Sequence, residues 1–108
     1  MIKETTTRKI VFPVSRIIDD LLPAIEPGVL VADIIKLDMD GSFANVQRTP
    51  ITTGNLIEEK VYSFSKSELI DKILINYVES LAVSMIEDWE ISGTNAVVTL
   101  TPTFLIME

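Results

Sequence analysis

The side chains in this sequence that could do chemistry are carboxylates, because histidine and cysteine are both absent. Their absence removes the imidazole base of neutral pH, the thiolate nucleophile, the disulfide and the Cys/His zinc set. Acid–base or Mg2+ work would fall to Asp19-Asp20, Glu58-Glu59 and Glu87-Asp88-Glu90. Neighbouring residues on a strand project to opposite faces, so Glu58 and Glu59 cannot share one ligand there. No phosphate loop, pocket lysine or Ser-His-Asp arrangement accompanies the acids, and solvated surface charge is their plain reading.

Asp38-Met39-Asp40-Gly41 resembles the opening of a calcium loop, but the third acid and the closing bidentate Glu are missing. Its flanks read as strands, and Asp40-Gly41 predicts a type I′ hairpin turn. Trp89 and Tyr77 could form a stacking platform for a base. Both lie in phase with apolar neighbours, however, which predicts core positions. The sequence thus offers no catalytic residue, no cofactor site and no metal site.

Composition narrows the remaining classes. A chain of 108 residues is the commonest size for a single domain with one core, and 47% hydrophobic content supplies that core amply. A surplus in so small a body points to a subunit interface. The net charge of −7 repels a phosphate backbone, so nucleic acid is not the expected partner. The first sixteen residues run against that trend, with Lys3, Arg8, Lys9 and Arg16 facing Glu4 alone. Such a segment suits pairing with an acidic strand, in cis or on a neighbour. No apolar leader follows Met1, and no apolar run reaches membrane-spanning length, which predicts a cytoplasmic protein or a component of a virion or assembly formed in the cytoplasm.

The elements that would carry these residues follow from periodicity. Thr5 to Val14 reads as a strand ending at Pro13, and Ser15 as the cap of a short helix from Arg16 to Leu22. Val29 to Met39 and Ser42 to Arg48 read as strands around the Asp40-Gly41 turn. After a Thr49-to-Asn55 loop, Ile57 to Phe64 reads as another. Ser65-Lys66-Ser67-Glu68 is a capping box, and Leu69, Ile70, Ile73, Leu74, Tyr77, Val78, Leu81, Ala82 and Met85 then recur at helical steps. That pattern predicts one long helix over residues 66–86. Strands at Trp89–Ile91 and Ala96–Ile106 close the chain, the last one forming an edge or breaking at Pro102. The expectation is an α+β domain of order β-α-β-β-β-α-β-β, a mostly antiparallel sheet of five to six strands carrying one long and one short helix. No internal repeat is apparent on this reading.

Three features point to contact with other proteins. Ile75, Val83 and Ile86 widen the long helix's apolar stripe beyond what one sheet requires. Thr99, Thr101 and Thr103 give the last strand a face without charge before Glu108, an edge open to another strand. Arg8 and Lys9 are complementary in sign to Glu87, Asp88 and Glu90; closure within one sheet is the first expectation and exchange between subunits the second. The expected function is a non-catalytic interaction or assembly protein, in a homo-oligomer or larger complex, of which a small phage-type structural or accessory protein is one form. An acidic, DNA-mimic-like inhibitor of a partner protein is the alternative, followed by a carboxylate-based small-molecule-binding or hydrolytic domain.

Overall fold

The computed structural model describes residues 1–107; the charge expected at Glu108 lies outside the described residues. In chain order, β1 (Ile2–Thr6) and β2 (Lys9–Pro13) lead to helix α1 (Ser15–Asp20), and β3 (Ile34–Asp40) and β4 (Phe43–Arg48) follow. The short strands β5 (Ile51–Thr53) and β6 (Leu56–Glu58) precede β7 (Val61–Ser65) and helix α2 (Lys66–Lys72). Strands β8 (Ile86–Ser92), β9 (Asn95–Leu100) and β10 (Thr103–Met107) complete the order. The α+β class stands, with ten strands among the described residues in small antiparallel sheets in place of one sheet of five or six.

Glycine sets the three hairpins. Gly41, Gly54 and Gly93 each open a two-residue loop with φ of 59°, 61° and 63°. Ser42, Asn55 and Thr94 follow them without positive φ, since Ser80 is the only such non-glycine among the described residues. Positive φ at the first loop position alone is the type II′ pattern, so the turn after Asp40 is not the type I′ that the sequence suggested.

The long helix does not form. Ser65 Oγ accepts from the Glu68 amide at 3.1 Å, as its cap position requires, but α2 ends at Lys72 and passes into a 3-10 turn at Leu74–Asn76. The β-branched Ile73 and Ile75 are poor helix continuers, and the Asn76 side chain donates to the Ile73 carbonyl at 3.2 Å, competing with the helix ladder. Leu69, Ile73, Leu74 and Ile86 are all buried, but the last is reached through a loop, a second 3-10 turn at Val83–Met85 and then β8. Helical spacing in the sequence therefore mixes one true helical face with a separate strand.

Comparison of the two halves shows why. The elements from β2 to β4 recur from β7 to β9 at an offset of 52 positions, as from Ile34 to Ile86 and from Phe43 to Asn95, with only the helix start differing by one residue. The core follows the same offset: Ile17 and Leu69, Leu22 and Leu74, Leu37 and Trp89, Val46 and Val98 are buried pairs. So do the irregularities. Strands β3 and β8 bulge after Ile34 and Ile86. Gly28 and Ser80 both take positive φ, at 88° and 57°. The connecting bonds match too: Thr49 N donates to Asp33 O and Thr101 N to Met85 O, both at 2.8 Å. The chain is a tandem duplication of one β-α-β-β unit, contrary to the repeat-free reading.

The halves are interlocked by exchange of their first strands. One sheet has the order β2-β9-β8 and the other β3-β4-β7, so each half's leading strand completes the other half's hairpin. Strands β3 and β8 pack together where the sheets meet, and Trp89 Nε1 donates across that seam to the Asp38 carbonyl at 2.7 Å. Trp89 is 1% exposed and sits in the single core cluster, as its phase predicted.

Candidate interaction surface

Each β-α-β-β unit continues past its last strand into a two-stranded ribbon. At Thr49-Pro50 and again at Thr101-Pro102 the chain leaves its sheet, because proline cannot donate to a ladder. The last tie between ribbon and body is the same in both halves: Arg48 N donates to Lys60 O at 3.2 Å, and Leu100 N to Arg8 O at 3.0 Å. Beyond those ties, β5 and β6 form a closed hairpin, while β10 pairs with β1 from the other end of the chain. The expected long strands Thr5–Val14 and Ala96–Ile106 are each split at this point. Phe104 and Ile106, which share the apolar face of Val98 and Leu100 in the sequence pattern, are thereby lifted off the core and left exposed.

The ribbons are arms rather than layers. Neither packs appreciably on the body. The radius of gyration is 16.3 Å, where a compact chain of this size has about 13 Å. The molecule measures 65 × 26 × 24 Å. Ribbons that stand off the body account for that elongation.

All ten residues of β1 and β10 are exposed. Directly opposed residues share a ribbon face. One face carries Phe104 and Ile106 with Lys3 and Thr5, and Lys3 Nζ lies 4.8 Å above the Phe104 ring. The other carries Ile2, Leu105 and Met107 with Glu4. In the β5–β6 arm, Leu56, Ile51, Thr53 and Glu58 share one face and Ile57 lies on the other with Thr52. Leu56, Ile57 and Phe104 are 60%, 63% and 62% exposed.

The residues expected at an interface are distributed as follows. Ile75 and Val83 are exposed, whereas Ile86 is 2% exposed and belongs to the core, because it begins β8 opposite Leu100. Thr99 lies in the central strand β9 between Lys9 and Asp88, so it is not on an open edge. Thr101 is the exit residue, its hydroxyl near the Ser84 and Met85 carbonyls at 3.3 Å, and Thr103 starts the arm. Arg8 and Lys9 are exposed at the root of that arm. Strand β9 separates them from Glu87, Asp88 and Glu90 on β8, so the opposite charges share a sheet without adjoining strands. The basic segment does close intramolecularly, on β9 and β10.

The remaining chemical candidates are dispersed. Asp20 pairs with Arg16 at 3.2 Å, and Asp38 accepts from Asn45 Nδ2 at 3.0 Å, while Asn45 Oδ1 accepts from Ser63 Oγ at 2.7 Å. That polar row lies beside a shallow concavity of about 370 Å3 lined by Asp40, Phe43, Asn45, Val61 and Ser63. Tyr77, expected in the core, is instead half-exposed and stacks on the buried Phe12 with ring centroids 5.8 Å apart. Among the described residues no three acids converge as a metal set, and no helix is long and apolar enough to cross a membrane.

The arms, which sequence reasoning missed, had a visible signal. Gly41-x-x-Ala44-x-Val46-x-x-Thr49-Pro50 recurs as Gly93-x-x-Ala96-x-Val98-x-x-Thr101-Pro102. Comparison with known protein families, curated proteins and solved structures finds no match for this chain.

Proposed function

We propose that this chain is a non-catalytic assembly protein that docks on protein neighbours through its two arms, as a subunit of a homo-oligomer or larger complex. The observation that carries this reading is the β1–β10 ribbon, apolar on both faces and exposed along its whole length. A two-stranded ribbon alone is marginal in water, and bare strand edges invite further pairing. An apolar ribbon held away from its own core therefore gains most when a partner covers it. The dispersion of the carboxylates favours this reading over a hydrolytic one.

The test is the size at which the protein migrates in an extract of its native cells. The expected result is a particle well above the 12.0 kDa of the chain, with Leu56→Ser plus Phe104→Ser releasing it as a free subunit. Migration of the unaltered protein as a free 12.0 kDa species would overturn the reading.

A further inference from the structure

Resting on that reading, we infer that the occupant of each arm is a second copy of this chain, joined head to tail: the Phe104–Ile106 face of one copy's β1–β10 arm packs on the Leu56 face of the next copy's β5–β6 arm. Three observations lead there. The arms are equivalent pieces of a duplicated chain, paired separately from each other in an elongated 65 Å molecule, so one copy can offer both halves of a contact at once. Their facing surfaces are complementary. Phe104 and Ile106 are flanked by Lys3, whereas Leu56 and Ile51 are flanked by Glu58. At the roots the signs also oppose, with Arg8 exposed on one arm and Glu59 on the other, while Lys60 is engaged by Glu26 at 3.6 Å. Finally, the two halves already hold each other by exchanging their leading strands, so association between equivalent units is built into this backbone.

The arms differ, so the contact is heterologous, which generates a ring where the rotation closes and a filament where it does not. The exposed apolar side chains of the Phe104–Ile106 face present on the order of 300 Å2. That is below the roughly 800 Å2 per partner of a standard interface. A single joint is therefore concentration-dependent, and copies held at both ends are retained far better than copies held at one.

The experiment uses the purified full chain and light scattering. One variant carries Phe104→Ser and Ile106→Ser, the other Leu56→Ser and Glu58→Lys; none of these side chains packs in the core, so the body is expected to fold in both. The unaltered chain is expected to exceed 12.0 kDa increasingly with concentration. Each variant alone stays at the single-chain mass, and their equimolar mixture reaches twice that mass and stops, since each supplies the one arm the other lacks. Either variant pairing with itself, or a mixture that stays monomeric, would overturn the head-to-tail joint. So would an unaltered chain that is monomeric at every concentration. If that chain still migrates in a large particle in native extract, the self-joining inference alone fails; if it is free there too, the assembly reading fails with it.

Discussion

At the scale of single residues, the duplication supplies an internal control for each side chain. Glu26 Oε1 lies 3.5 Å from Arg48 Nη1 and 3.6 Å from Lys60 Nζ, and the Arg48 side chain is only 15% exposed. At the equivalent positions of the second half stand Val78 and Leu100, an apolar solution to the same packing problem. Glu26→Val alone strands a largely buried guanidinium and is expected to lower the unfolding free energy by about 1–3 kcal/mol. Adding Arg48→Leu should restore most of it, because a buried ion pair replaced by fitted apolar groups is often neutral. Urea denaturation of the single and double variants measures the difference, and a double variant weaker than the single one would contradict the equivalence. Ser80 gives a second case. It holds φ of 57° where the first half has Gly28 at 88°. Ser80→Gly is expected to gain about 0.5 kcal/mol and Ser80→Val to lose at least about 1 kcal/mol, because a branched Cβ is strained in that region. None of these pairings was legible residue by residue, since Glu and Val, or Gly and Ser, carry no shared signature until the frame is known.

At the scale of elements, the sequence was informative at several local signals, although Ser15, expected to cap the first helix, is instead its first residue behind Val14. The Ser65 cap, the break at Pro102 and the strand pair around Gly41 are all present, because capping, a missing donor and glycine backbone freedom act within a few residues. It misled over residues 66–86, where buried positions spaced like a helix belong to α2, a 3-10 turn, a loop and β8 in succession. Pro23 and Pro27-Gly28 mark those breaks openly in the first half, whereas Ile75 and Glu79-Ser80 hide them in the second. Ile75→Pro separates the two descriptions. Proline inside a continuous helix costs about 3 kcal/mol or more. Here Ile75 is 57% exposed and sits where the first half already has Pro23 in a 3-10 turn, so the expected cost is under about 1 kcal/mol in thermal or urea unfolding. A loss of about 3 kcal/mol or more would restore the long helix.

At the scale of the whole molecule, duplication with exchanged first strands yields a body whose core is shared between halves, and two arms that this core does not reach. The body's stability comes from burial around Trp89, Phe12 and the paired leucines and isoleucines. The arms have no such burial, and local opening is easiest where buried apolar contacts are few. In the proposed assembly their cover comes from neighbouring subunits. Amide hydrogen exchange across β1, β10, β5 and β6 tests this most directly. In dilute purified protein these amides should exchange far faster than those of β4 and β9, and they should become protected to a comparable degree in the assembled particle. Arm amides as protected as the body's in a solitary chain, or unprotected in the particle, would contradict it.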